Sequence, residues 1–432
     1  MNRRWFLKLP ALLPLRALGA AANLQEHYFQ YEGVIGTSLD LIVWTPSPHV
    51  ARRVCDTALE EIDRLAGILN TRDPNSEISI LERSAGPHRV SPELAEVFDR
   101  YNYWEGRSSG IFSIRPEGLN TPRNVDALGK AYIIDKVVRV VRKGSPAIDA
   151  LLLNIGGDIV VWGNSCEIAV ANPTDHYDNA HPITTIDIQN AAVATSGSYA
   201  RGAHLRNARN GQPLKDAIAA TVVAADAVTA NALATTLCLT PTDFGLQLVE
   251  STPAAEALVV GSGVVQRTSG FARLERRYIS QKPATSNFPP GYQVTVTLPL
   301  TSGRSTKRPY VGVWVEDTSG KLVRMLAMWG TKSKYYPDLA SLYNLIKINR
   351  DPLKPVTRAT RPAGKYVLVW DGLDDNHNPV PLGTYRIVVE TNQEHGTYAK
   401  QVGTITLGES PTSITLPATT NFEAVSVQYG PK

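Results

Sequence analysis

Asn124-Val125-Asp126-Ala127-Leu128-Gly129-Lys130-Ala131-Tyr132, with Asp135 just beyond, is the stretch that decides the fold of the first half of the chain. Gly129–Arg142 reads as a helix that stops at Gly144. Downstream, Leu151–Ile155, Gly156-Gly157 and Ile159–Trp162 read as a strand, a glycine turn and a strand. Ile218–Ala224 is a further strand, leading into a helix over Asp226–Leu239. Upstream, Gly36–Val43 reads as a strand and 92–104 as an amphipathic helix opened by Ser91-Pro92. Residues 51–69 form another helix, with Cys55, Leu59, Ile62, Ala66 and Leu69 on one stripe. Strands and helices mix without regular βαβ alternation, which predicts an α+β domain over residues 28–275.

The character changes near residue 275. Residues 276–291, rich in Ser, Pro, Gly and Asn towards their end, read as a linker. Short alternating strands follow at Gln293–Leu298, Tyr310–Glu316, Tyr366–Trp370, Thr384–Glu390 and Gly403–Leu407, with one helical stretch at Pro337–Ile348. This predicts an all-β domain over 292–410, an immunoglobulin-like sandwich, and the Ser/Thr/Pro-rich residues 411–432 are expected to be a loose tail.

Composition narrows the function classes. The 432 residues carry 44 basic and 40 acidic side chains. Residues 1–22 hold Arg3, Arg4, Lys8 and Arg16 and no acid, so removing them leaves 40 of each. A neutral mature chain argues against a nucleic-acid binder or a polybasic membrane protein. Arg3-Arg4-Trp5-Phe6-Leu7-Lys8, the apolar run Leu9–Leu15 and the small residues Gly19–Ala22 look like a cleavable twin-arginine export signal. A general secretory signal or a plain N-terminal helix is the alternative. No other segment approaches the ~18 apolar residues of a membrane span. The three cysteines, Cys55, Cys166 and Cys238, are far apart and read as packing residues.

Walker, GxGxxG, HExxH and GxSxG patterns are missing from the sequence. In their place stand small glycine and hydroxyl clusters between residues 35 and 236. They are Gly36-Thr37-Ser38, Asp73 to Glu77, Asn124 to Tyr132 with Asp135, Asn154 to Asp158, Ala194 to Tyr199, His204 to Pro213, and Thr229 to Thr235. Glycines allow close backbone approach, and free amides and hydroxyls then suit phosphate. Asn231 and Thr235 are i and i+4 on one helix and share a face.

The order and spacing of these clusters resemble the FAD:protein FMN transferase (ApbE) family over residues 28–272, best at Asn124–Asp135, Gly156–Asp158 and Thr195–Gly197. The resemblance implies an exported α+β transferase that splits FAD with magnesium. It moves FMN to a Thr or Ser hydroxyl of an acceptor protein and releases AMP. It implies flavin-nucleotide contacts at Gly36, Thr37, Arg72, Ser76, Asp126, Lys130, Asp135, Gly156, Gly157, Asp158, Thr195, Ser196, Gly197 and His204. Metal oxygens come from Asn231, Thr235 and the backbone at Gly129. Lys130 then neutralises pyrophosphate charge, and His204 orients or deprotonates the acceptor hydroxyl. The alternatives are a solvated first-turn lysine and a loop histidine without a role. The chain departs from the family where Asn231 replaces an aspartate and Arg72 a tyrosine. It departs again where Phe112-Ser113-Ile114-Arg115-Pro116 replaces Phe-Asp-Pro-Thr, and an aspartate is missing after His204.

The C-terminal stretch from Gly364-Lys365-Tyr366 to Glu394-His395-Gly396 looks like a periplasmic β-sandwich domain of unassigned activity, often fused to flavin transferases. In its acceptor pattern, Asp-x-x-Thr/Ser-Gly-Ala-Thr/Ser, the register gives Lys354 to Thr360, so Thr360 is a candidate FMN acceptor in cis. A plain basic loop is the competing reading. His176, Asp178 and His181 read as a solvated loop, and Asp371 to Asn378 as a hairpin turn rather than a calcium site. Two further possibilities stay open: a catalytically impaired flavin-binding relative, and a binding protein acting through its β-sandwich.

Overall fold

The computed structural model describes residues 25–432 except 85, 87, 119–120, 146, 176, 181, 198–216, 262–263, 277–284, 302–307, 331–332, 354–355, 359 and 394–395. The chain divides into two units, 25–174 with Thr184–Arg276, and Asp175–Ile183 with Arg277–Lys432.

The first unit contains strands β1 (Glu26–Val34), β2 (Thr37–Trp44), β3 (Ala150–Ile155), β4 (Asp158–Trp162), β5 (Cys166–Val170), β6 (Thr184–Ile188), β7 (Ala191–Gly197), β8 (Ala217–Ala224), β9 (Glu256–Gly261) and β10 (Val265–Arg267). Its helices are α1 (Pro48–Leu69), α2 (Glu77–Arg83), α3 (Pro92–Arg107), α4 (Asp126–Gly144), α5 (Ala227–Leu239) and α6 (Thr242–Glu250). Among the described residues one antiparallel sheet runs β1-β2-β3-β4-β7-β8-β9-β10, and β5 pairs with β6 apart from it. Alternate strand residues build the core with α1, α4 and α5. Leu39, Leu41 and Val43 of β2, Leu151 and Leu153 of β3 and Val222 of β8 belong to that cluster. The intervening Ile42, Leu152, Val161 and Val223 are buried as well, so these strands are apolar on both faces. Ser91 caps α3, its Oγ accepting from Leu94 N at 3.2 Å, with Pro92 in the first turn. Helix α5 is buried almost throughout, including Asn231, Thr235 and Thr236.

The second unit contains β11 (Tyr292–Leu300), β12 (Tyr310–Glu316), β13 (Leu322–Trp329), β14 (Thr357–Arg358), β15 (Gly364–Trp370), β16 (Gly383–Asn392), β17 (Ala399–Leu407), β18 (Thr412–Leu416) and β19 (Val425–Pro431), with helix α7 (Ala340–Ile346). Among the described residues its sheets run β15-β11-β19-β18 and β14-β13-β12-β16-β17. They share one core, with Val296, Trp370 and Tyr429 from the first and Val313, Trp329 and Ile387 from the second. This is an all-β sandwich.

Two expectations change here. Residues 411–432 are not a loose tail, because β18 and β19 lie there and β19 sits between β11 and β18. Val425, Val427 and Tyr429 alternate into the core and outweigh the Ser/Thr/Pro-rich composition. Of the residues expected in a solvated loop, His176 and His181 lie outside the described residues, and Asp178 packs within the second unit instead. Asp178 N donates to Val367 O at 2.8 Å. Asn179 exchanges two bonds with Val369, at 2.7 and 2.9 Å, satisfying the edge strand β15.

Candidate functional site

Two hairpin tips meet at one end of the first sheet. Gly156 and Gly157 form the two-residue turn between β3 and β4, with φ of 56° and 99°. Ile35 and Gly36 do the same between β1 and β2, with φ of 40° and 80°. Gly156 N donates to Ser38 O at 3.0 Å, and a Cβ on Gly156 would stand 2.6 Å from Thr37 Oγ1. Glycine is therefore needed for its backbone angle and for the close approach. We expect Gly156→Ala to cost ~1–3 kcal/mol in urea unfolding and to displace Thr37. Behind the turn, Asn154 accepts from Gly157 N at 2.9 Å and donates to Asp40 at 3.0 Å. Sequence reading missed this support, which is visible only once β2 and β3 pair.

Lys130 reaches these tips from the second turn of α4. Its Nζ lies 2.8 Å from Asp158 Oδ2 and 3.5 Å from Gly156 O. The same Asp158 oxygen accepts from Asn231 Nδ2 at 3.1 Å. Asn231 Oδ1 is buried without a hydrogen-bond partner among the described residues. One turn further along α5, Thr235 Oγ1 is 3.2 Å from Ser196 Oγ of β7. Gly129, beside Lys130, packs on α1, where its Cβ position would be 3.8 Å from Leu69 Cβ.

Arg72 flanks the cluster. A Cβ on Gly36 would lie 3.2 Å from Arg72 Nη1, and Arg72 Nη2 is 3.9 Å from Asp126 Oδ2. Asp126, in the first turn of α4, also accepts from Thr71 Oγ1 at 2.6 Å. A cavity of about 510 Å³ opens beside them, lined by Thr71, Arg72, Pro74, Arg123 and Asn124 among others.

Other expected residues are used elsewhere. The Ser76 hydroxyl donates to Asn70 O at 2.7 Å and caps α2, so the chain itself occupies it. Thr195 pairs with Thr221 across β7 and β8 at 2.8 Å, and Gly197 stands opposite Ala219. Asp135 accepts from Ala227 N and Val228 N at 2.8 and 3.1 Å, so it acts on α5 rather than at the hairpin tips. Burial pushes its carboxyl up to about 7; neighbouring Asp226 adds to this, against the two amides. His204 lies outside the described residues. Thr360 belongs to the second unit, where its carbonyl accepts from Arg308 Nη1 at 3.4 Å.

The comparisons with known proteins fall on both units, and one family model covers this site. The ApbE family model matches residues 35–123 and 115–259, together just over half of the chain. A second model, described as "Predicted periplasmic protein (DUF2271)", matches residues 291–424. No curated protein sequence matches the chain. Among solved structures, the ApbE protein from Thermotoga maritima is 18% identical, with a TM-score of 0.51 over 58% of this chain and 100% of that one. The Pseudomonas stutzeri flavinyl transferase ApbE in its apo form is 16% identical, with a TM-score of 0.50 over 60% of this chain and 100% of that one. At such identities the likeness is one of fold. The matched span contains both hairpin tips, Lys130, Asp158, Asn231 and Thr235, and by that span the chain belongs to the ApbE family.

Proposed function

We propose that the chain is an exported FAD:protein FMN transferase. The observation that carries this reading is the convergence of Gly36-Thr37, Lys130, Gly156-Gly157-Asp158, Ser196, Asn231 and Thr235 in one cluster. Glycine tips admit a pyrophosphate close to the backbone, and Lys130 supplies positive charge there. An acceptor Thr or Ser hydroxyl attacks the FMN-side phosphorus, the bond to AMP breaks, and His204 receives the hydroxyl proton. Arg72 stacks on or pairs with the flavin nucleotide, and Asp126 holds Arg72 in place.

The donor set suits magnesium. Asn231 Oδ1 is an oxygen ligand without a hydrogen-bond partner among the described residues, Thr235 supplies a hydroxyl, and Asp158 supplies a carboxylate. When bound, the ion supplies charge neutralisation on the pyrophosphate. The acceptor is an exported protein or Thr360 of the chain's own second unit. Export through the twin-arginine signal at residues 1–22 agrees with the second unit's match to a periplasmic family. No helix among the described residues is long and apolar enough to cross a membrane.

A second reading, flavin binding without transfer, is favoured by one observation. Asn231 and Lys130 both bind Asp158 Oδ2, so the chain's own side chains satisfy that carboxylate without a metal ion. Incubation of mature protein with FAD and magnesium, scored by AMP release and by the mass of peptides containing Thr357 and Thr360, separates the two. We expect measurable AMP release, and we expect Asn231→Asp to tighten magnesium binding by about tenfold or more in calorimetry, since it adds a full charge. No AMP from the natural chain, with strong release from Asn231→Asp, leaves the binding reading.

A further inference from the structure

A second cavity, of about 450 Å³, opens in the first unit away from the hairpin tips. Arg139 and Arg142 of α4 line it, roughly 14 and 18 Å beyond Lys130 along the helix. They are i and i+3 and share a face. Trp162, at the far end of β4 from Asp158, lines it from the sheet. Buried Val138, Val161 and Val228 add apolar wall. Lys136 and Arg100 line it too, but both serve Glu96 of α3, at 2.7 and 3.8 Å. Arg139 and Arg142 form no ion pair with a carboxylate among the described residues. Arg142 lies over Trp162, its guanidinium carbon 4.8 Å from the ring centre. Arg139 acts on Asp135 through its field, without a bond between them.

The other end of the cavity, at the start of α5, is acidic and already satisfied. Asp135 accepts from Ala227 N and Val228 N, and Asp226 from Thr229 N. Those amides are closed to a phosphate, and the two carboxylates oppose a dianion more than a singly charged ligand. We infer that this cavity binds a small organic monocarboxylate, its oxygens held by Arg139 and Arg142 and its apolar body laid on Val138, Val161 and Val228. Guanidinium forks pair bidentately with planar carboxylates. A volume of about 450 Å³ falls in the range of small-molecule pockets, where apolar wall and a few polar groups combine in this way. The inference concerns this cavity alone and stands whether or not the first unit transfers flavin.

The test is calorimetry and tryptophan fluorescence of the mature chain with hexanoate, acetate and inorganic phosphate. We expect hexanoate to bind, and acetate, which lacks the apolar body, to bind about tenfold or more weakly. A carboxylate on Arg142 changes the charge over Trp162, so hexanoate should shift the emission and Trp162→Phe should remove that shift. Arg139→Gln and Arg142→Gln should each weaken hexanoate binding about tenfold or more. Both side chains are exposed, so each variant should keep its Tm within about 2 °C of the natural chain. Lack of hexanoate uptake overturns the inference, as does uptake that survives both substitutions, or acetate bound as tightly as hexanoate. Arg139-dependent uptake of phosphate in place of hexanoate overturns it as well, since the recognised group is then a phosphate. So does hexanoate uptake that is lost in Arg72→Gln instead, which moves the ligand to the cavity beside Arg72.

Discussion

Lys130→Ala is expected to destabilise the first unit by about 3–5 kcal/mol and to lower FMN transfer by about a hundredfold or more. The stability effect follows from Asp158, whose side chain is only 4% exposed and whose counter-ion is Lys130 at 2.8 Å. Without the ammonium, that carboxylate keeps one amide donor, Asn231, in a buried setting. The transfer effect has a different origin, the positive charge that Lys130 brings to the glycine tips. A double variant, Lys130→Met with Asp158→Asn, separates the two. It removes both charges, so urea unfolding should recover most of the lost stability, while AMP release should stay low. Full activity in the double variant would show that the lysine charge has no part in transfer.

Asp135→Asn should grow more stable relative to the natural chain as pH rises from about 4 to about 7, and then level off. Burial raises the folded pKa of Asp135 from 3.8 to about 7. A raised carboxylate favours its neutral form in the folded state. Its contribution is fully present below the unfolded value and is lost as pH climbs through the folded one. Asparagine never ionises, so it escapes that loss, which is at most about 4 kcal/mol for a shift of this size. It also turns an NH2 towards one of the two amides that Asp135 serves, a cost that does not vary with pH. Urea unfolding of both proteins between about pH 4 and pH 8 gives the difference directly. A flat difference would mean that Asp135 is not desolvated when folded.

Local signals made much of the fold readable from sequence. The paired glycines at 156 and 157 announce a tight hairpin, and Ser91-Pro92 announces a helix start, because both depend on neighbouring residues alone. Asn231 and Thr235 were legible as one helix face for the same reason. Long-range partners were not. Asp135 sits in a glycine- and lysine-bearing block, and nothing local reveals that its carboxylate caps a helix starting at Ala227. Ser76 shows the limit of residue type as evidence, since a hydroxyl that caps a helix looks like one awaiting a ligand. The C-terminal strands carried a period-two signal in Val425, Val427 and Tyr429, which the abundance of Ser, Thr and Pro masked.

The place of β19 sets a schedule for the second unit. It hydrogen-bonds β11 from Tyr292↔Pro431 to Thr297↔Ser426, and β18 joins the sheet only through it. Until Val425–Pro431 docks, β11 lacks its neighbour on that side. This sheet therefore closes by pairing segments far apart in sequence, Tyr292–Thr297 with Ser426–Pro431, a non-local step expected late in folding.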